Sequence, residues 1–268
     1  MSHVFSYVLH LADNALILGQ RNAEWCGHGP VLEQDIAITN ISLDLIGQAR
    51  NFYQYAAIAY DAMSIEEKGS VDDLAPRSWK AYNRNLEEDD LAFLREERQY
   101  LNVLLAELPG GDWAKTILRQ FFFSAFQYYQ YAQLQQGADE QLAAIAEKSL
   151  KEVAYHLRWS SEWVIRLGDG TGESKARLNK ALVELWPFTG ELFVAAPYEV
   201  LFDPATCKEA WLKKVAAVFE EAMLPSPLGN GLGVSLQTGG KSGKHTEHLG
   251  YLLTEMQYLQ RTYPNATW

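Results

Sequence analysis

Apolar residues recur along this chain at helical spacing, and almost nowhere with the period of two that marks a half-buried strand. Residues 3–22 carry Val4, Val8, Leu11, Ala15 and Leu18 on one face and Phe5, Leu9, Leu16 and Ile17 on a second, which predicts a helix buried on both sides. "GHGP" at 27–30 breaks that run, and a long helix over 33–62 follows with Ile38, Ile41, Leu45, Ala49, Phe52 and Ala56 as its stripe. Residues 63–89, which include Pro76, read as a polar insertion with room for a short helix. The spacing predicts a further helix over 91–107, stopped by "PGGD", and Asp112 is placed to cap the next, which runs to about 136. "GADE" separates that helix from one over 140–167, whose stripe is Leu142, Ala146, Ser149, Val153, His156, Ser160 and Val164, closed by "GDGTGE". Shorter helices are expected near 174–185 and 205–222, then a Gly/Pro-rich loop over 224–243. A last helix carries Leu249, Leu252, Met256 and Leu259. With no internal repeat and no strong linker, the pattern predicts one all-α domain over 1–268, its four long helices paired as an antiparallel bundle.

Composition narrows the function. The chain has 268 residues, 48% hydrophobic and 21% charged, as a soluble globular protein does. Its net charge of −11 argues against binding nucleic acid through the phosphate backbone and favours basic partners. No stretch approaches the roughly 20 apolar residues needed to span a bilayer. No signal peptide is expected, because His3, His10 and Asp13 interrupt the first apolar run and no basic segment precedes it. Cys26 and Cys207 are far apart and outside any metal or redox spacing, as expected of a reduced, cytoplasmic protein.

A large four-helix bundle can hold two irons between its helices. Such a site takes one Glu from each of two helices and a Glu-x-x-His pair from each of the other two, about six ligands in all. Tested against that requirement, this chain falls short. The first helix offers only Asp13 on an apolar face, which reads more readily as a buried acid paired with a base or capping another helix than as a ligand. On the second, the position three beyond Asp44 is Gly47, which has no donor atom. The third presents Ser124 and Gln127, neither a carboxylate. The fourth offers Glu152, but its third successor is Tyr155, and His156 lies about 100° further round the helix. Asp13, Asp44, Glu152 and His156 therefore read as a buried polar and ionic network that fixes helix register, with bases such as Arg50 or Arg158 as partners. Asp13, Asp44, Gly47, Glu152, Tyr155 and His156 would be the vestige of a metal site, holding no metal in this chain. The alternative is a metal-binding oxygenase active in its own right through Asp13, Asp44, Glu152 and His156.

Other motifs are weaker. "TGGKSGKH" at 238–245 contains the tail of a P-loop, but the pattern needs a glycine where Ser235 stands and a strand before it. Lys241 and Lys244 read as a solvated loop whose ammonium groups are available to a ligand's phosphates or to an acidic partner. "HTEH" at 245–248 spaces His245 and His248 three apart with no third zinc ligand nearby. Phe121, Phe122, Phe123, Phe126, Tyr128, Tyr129 and Tyr131 crowd one helix, fitting either a thick core or a surface buried against another subunit.

Longer matches then enter. "EWCGHGPVLEQDIAITNISLDLIGQARNF" (24–52), "EVAYHLRW" (152–159) and "TGGKSGKHTEHLGYLLTEMQYLQR" (238–261) closely resemble the structural C-subunit family of bacterial phenylacetyl-CoA epoxidases. "LAFLREERQY" (91–100) and "ELWPFTGELF" (184–193) fit the same family, and the resemblance runs almost to Trp268. It implies an all-α, ferritin-like four-helix bundle core with additional helices. It also implies a non-catalytic subunit that pairs with the oxygenase A subunit, which holds the di-iron centre. That complex epoxidises the aromatic ring of phenylacetyl-CoA with dioxygen and electrons from a reductase subunit, in aerobic phenylacetate catabolism, and it includes small accessory subunits. No cofactor is then expected in this chain. Scaffolding would run through faces of the first two long helices and the aromatic third, with Lys241 and Lys244 as candidate contacts for the CoA tail.

Overall fold

The computed structural model describes residues 1–226, 236–264 and 266. Ser235 and part of the predicted 224–243 loop, together with residues 265, 267 and 268, lie outside them. The described residues are helical with no strand, in the order α1 (Ser2–Ala23), α2 (Leu32–Asp61), α3 (Ile65–Ser70), α4 (Glu88–Phe93), α5 (Leu104–Glu107), α6 (Trp113–Leu134), α7 (Glu140–Gly168), α8 (Gly172–Thr189), α9 (Lys208–Glu221), α10 (Glu247–Met256) and α11 (Tyr258–Thr262). The architecture is the all-α bundle with additional helices that the sequence predicts.

Two hairpins make the core. Helix α1 packs along α2 and α6 along α7, and α2 meets α7 to join the pairs. Short connections leave each pair antiparallel. Every residue of α1 from Phe5 to Gly19 is buried, as its two apolar faces predict. Asp112 caps α6 by accepting from the Lys115 N–H at 3.0 Å. Asp139 does the same for α7 at the Leu142 N–H, 2.9 Å away, while also accepting from the Tyr55 hydroxyl at 2.5 Å. In the insertion, Ser64 and Glu67 form a capping box that starts the short helix α3.

The aromatic crowd on α6 is core. Phe121, Phe122, Phe123, Phe126 and Tyr131 are buried within this chain, while Tyr128 and Tyr129 are half-buried. The Phe122 ring lies 5.9 Å from Trp186 of α8, 5.6 Å from Trp211 of α9 and 6.1 Å from Phe219 of α9. The Trp211 indole N–H donates to the Phe122 carbonyl at 2.8 Å, so α9 is fixed by a polar bond as well as by burial. Trp159 and Trp163 both donate to the Gln34 side-chain oxygen, at 3.1 and 2.7 Å, tying α7 to the start of α2.

One predicted helix does not form. Residues 91–107 are helical only at their ends, in α4 and α5. Between them lie a 3-10 turn over Glu97–Gln99 and an extended stretch. Side chains from α1 capture the backbone there: Asp13 accepts from the Leu101 N–H and Asn14 from the Val103 N–H, both at 2.8 Å. Arg95 donates to the carbonyls of Leu91 and Gln99 at 2.6 and 2.7 Å. Backbone groups that would have closed helical turns are satisfied by side chains instead, those of Asp13 and Asn14 from more than 80 residues away and that of Arg95 from four.

Candidate functional site

The polar interior lies between α2, α6 and α7. The inward stripe of α2 runs through Ile41, Leu45, Gln48 and Phe52, and that of α7 through Ser149, Val153, His156 and Ser160. His156 is fully buried, and its Nε2 lies 3.0 Å from an Asp44 carboxylate oxygen. Gln48 donates to Glu152 at 2.9 Å. Asp44 and Glu152 stand at the flanks of the interior, both partly exposed. The residues three beyond them therefore turn outward: Gly47 and Tyr155 are exposed, and the structure does not bring them to the interior. From α6 the interior receives Gln120, Ser124 and Gln127, all buried and none a carboxylate. Gln127 donates to the Tyr131 hydroxyl at 3.1 Å.

Asp13 is elsewhere. It is fully buried, and both its oxygens are taken: Arg95 donates to each, the Tyr53 hydroxyl to one at 2.6 Å, and the Leu101 N–H to the other at 2.8 Å. Arg95, itself fully buried, stacks 4.3 Å from the Tyr100 ring centroid. Asp13 thus has a base as partner, and that base is Arg95. Arg50 pairs instead with Glu88 at 3.3 Å on the surface, and Arg158 lies over the Tyr155 ring.

The donor set does not fit a two-iron centre. Asp13 belongs to the arginine, Asp44 and His156 to each other, and α6 supplies amides and a hydroxyl where such a site requires carboxylates. Among the described residues, no three His, Cys, Asp or Glu side chains converge to hold a metal ion.

The 238–246 segment differs from a solvated loop. Lys241 is buried at the wall of a cleft and donates to Glu199 and to the Val194 carbonyl, each at 2.8 Å, so its ammonium is already engaged within the chain. Burial pushes its ammonium below the ordinary lysine range, and Glu199 opposes that shift. The backbone here lies so close to the 98–104 segment that a Cβ at Gly240 would sit 2.1 Å from the Asn102 carbonyl oxygen. Gly243 has φ +72° and approaches the Arg98 carbonyl as closely. Lys244 stays exposed, at the rim of a cleft of about 290 Å³ lined also by Glu191, Pro197 and Ser242.

His245 and Glu107 complete this second buried network. One His245 ring nitrogen lies 2.7 Å from a Glu107 oxygen, and the other 2.9 Å from the Tyr100 carbonyl. Both neighbours accept, so both nitrogens must carry hydrogen. Burial acts to lower the imidazole pKa, but the Glu107 hydrogen bond and charge outweigh it, and the net shift is upward. His10 moves the other way: burial holds it below its ordinary value despite Glu199 nearby. "HTEH" is thus a structural anchor at His245. The His248 backbone carbonyl accepts from Arg21 at 2.8 Å.

The expected surface on α2 is carried by residues the apolar stripe does not include. Leu32, Ile36, Leu43 and Ile58 fall on one outward face of α2, with Gly47 among them, and each of the four is more than half exposed. Their spacing is legible in the sequence, but the inward stripe on the same helix draws attention away from it. Helix α1, by contrast, has no free face, and α6 presents little beyond Tyr128 and Tyr129. Of the three helices expected to carry an interface, α2 has the most exposed apolar side chains among the described residues, interleaved on that face with Asn40, Arg50 and Gln54.

Comparison with known proteins adds identity to this geometry. The model of a family described as phenylacetic acid catabolic protein matches residues 1–268. The chain is also 44% identical over 275 residues to the C subunit of the 1,2-phenylacetyl-CoA epoxidase of Escherichia coli (strain K12), covering 100% of both chains.

Two outcomes follow from the buried networks. Asp13→Ala leaves the Arg95 charge unpaired and should cost roughly 3–5 kcal/mol by urea unfolding. Adding Arg95→Leu should cost much less than the sum of the single changes, giving a large coupling in a double-mutant cycle. The raised His245 pKa contributes stability that is fully present below about 6.5, the ordinary histidine value, and is lost as pH rises through the folded-state value. The melting-temperature gap between the wild-type protein and His245→Asn should therefore narrow from pH 6 to pH 8.

Proposed function

As the chain belongs to the family of phenylacetic acid catabolic proteins, we propose that it is the non-catalytic C-type subunit of a multicomponent phenylacetyl-CoA epoxidase. Its role in phenylacetate catabolism follows from the family and from the full-length relative. The observation that supports a non-catalytic part is the state of the interior acids. Asp13 is saturated by Arg95, Tyr53 and a backbone N–H; Asp44 is engaged by His156 and Glu152 by Gln48. Helix α6 brings Gln120, Ser124 and Gln127 to the positions where a di-iron bundle needs carboxylates.

On this reading the di-iron centre resides in the oxygenase A subunit, which epoxidises the aromatic ring with dioxygen and electrons from a reductase. The reductase and small accessory subunits join through the complex. This chain contributes a rigid surface. The outward apolar face of α2 suits a large, permanent interface, whose core is more apolar than ordinary surface. Lys244 is the remaining candidate for contact with the phosphates of the CoA tail. The free cysteines, Cys26 exposed and Cys207 buried, fit a reducing cytoplasm. Among the described residues no helix is long and apolar enough to cross a membrane.

Reconstitution with purified oxygenase and reductase subunits tests this reading. Epoxidation of phenylacetyl-CoA should require this chain, and Glu152→Gln and His156→Gln should retain most of the activity. Leu43→Asp should weaken association with the oxygenase subunit by roughly 10- to 1,000-fold while leaving the fold intact, as loss of a buried interface anchor does. Activity abolished by Glu152→Gln in a complex that still assembles would contradict the proposal.

A further inference from the structure

The C-terminal helices form a second surface. Helices α10 and α11 are nearly continuous, and their outer face shows Tyr251 and Tyr258, 70% and 63% exposed. These tyrosines line a groove of about 700 Å³ between the helices and the Glu97–Gln99 turn, shared with Glu96, Glu97, Glu247 and Arg261. Gly250 lies in the groove wall, where a Cβ would sit 3.0 Å from a Glu97 carboxylate oxygen.

The floor is rigid. Gln257, buried beneath the groove, donates to the Arg95 carbonyl at 2.9 Å and to the Tyr100 hydroxyl at 3.0 Å. The groove is thereby fixed to the residues that hold the Asp13–Arg95 pair. A preformed, well-supported surface loses little freedom on binding.

The charge of the groove is lopsided. Arg261 is already engaged, 3.3 Å from Glu96 and 2.9 Å from the Gln257 oxygen. Among the described residues, Glu97 and Glu247 have no ion-pair partner. Two unpaired carboxylates flanking two exposed phenol rings make a surface that accepts cations through both charge and ring faces.

We propose that this groove docks a basic segment of another subunit of the same complex, one carrying Lys or Arg beside an apolar side chain. The inference rests on the reading that the chain works within an assembly. The groove is separate from the α2 stripe, and its chemistry differs. The α2 face is richer in exposed apolar side chains, Leu32, Ile36, Leu43 and Ile58, and suits a more permanent contact. The α10–α11 groove is acidic and aromatic, and suits a contact sensitive to salt over the Debye length of about 8–10 Å.

Site-specific photo-crosslinking in the full complex tests it. The probe is p-benzoylphenylalanine, placed at Tyr258 in one preparation and at Leu43 in another, with the chain co-purified with its partner subunits. At Tyr258 we expect a cross-link to a partner subunit, mapped by mass spectrometry to a peptide with Lys or Arg next to the attachment point. Its yield should fall about tenfold when Glu97→Lys and Glu247→Lys are combined, and should fall with added salt. A cross-link to a second copy of this chain, a captured peptide without cations, or a yield indifferent to charge reversal would each overturn the inference. So would a Leu43 cross-link with none at Tyr258, and that result would leave the proposed function standing. No cross-link at either position would count against both.

Discussion

A single buried ion pair organises much of this molecule. Asp13 and Arg95 are both shut off from solvent, and an isolated charge of either kind there would be prohibitively costly. Their mutual satisfaction dictates what surrounds them. Arg95 must reach Asp13 from the end of α4, so the chain after α4 cannot continue as a helix. The N–H groups of Leu101 and Val103 turn to Asp13 and Asn14, and the Arg95 side chain holds the carbonyls of Leu91 and Gln99. An extended strap results, laid across α1. Glu191 accepts from the Leu104 N–H and from the Gly239 N–H, each at 2.7 Å, so the strap in turn positions the 238–246 segment. Burial raises the Glu191 pKa, and those N–H bonds counter it.

Other acids in or beside the interior are also partnered, although one Glu199 oxygen and His156 Nδ1 are buried without a hydrogen-bond partner among the described residues. Asp44 has His156, Glu152 has Gln48, Glu199 has Lys241 and Glu107 has His245. Each acid links two helices or a helix and a loop. These pairings engage the acids, and among the described residues no three His, Cys, Asp or Glu side chains converge to hold a metal ion. Within the interior, His156 Nδ1, Gln48 Oε1, Gln127 Oε1 and Ser149 Oγ are buried without a hydrogen-bond partner among the described residues, while the surface carries the outward face of α2 and the acidic, aromatic groove of α10 and α11.

Much of this was legible in the sequence. The long helices α1, α2, α6 and α7 announce themselves by apolar period, and Asp112 by its capping position. Family membership was legible through long, ordered matches. Part of what escaped has one cause, namely partners distant along the chain. The 91–107 run has helical spacing, but its backbone bonds go to Asp13 and Asn14, more than 80 positions away. Arg95 stands in "REER", a stretch that reads as a solvated charge run, and nothing local marks it as buried. Lys241 lies in a glycine-rich segment that looks mobile until Glu199 is placed against it. Gly47 and Tyr155 illustrate a different error. Counting three residues on from Asp44 and Glu152 assumes that those acids point straight inward. Both instead stand at the edge of the interior, and a further 300° of helical rotation carries the next position out to solvent.

If the interior acids serve the fold and leave no di-iron centre in this chain, iron content measures that directly. The chain, purified alone and loaded anaerobically with Fe(II), should retain well under one iron per molecule by elemental analysis. Close to two irons per chain, lost together on Glu152→Ala, would contradict the account and make this protein an oxygenase in its own right.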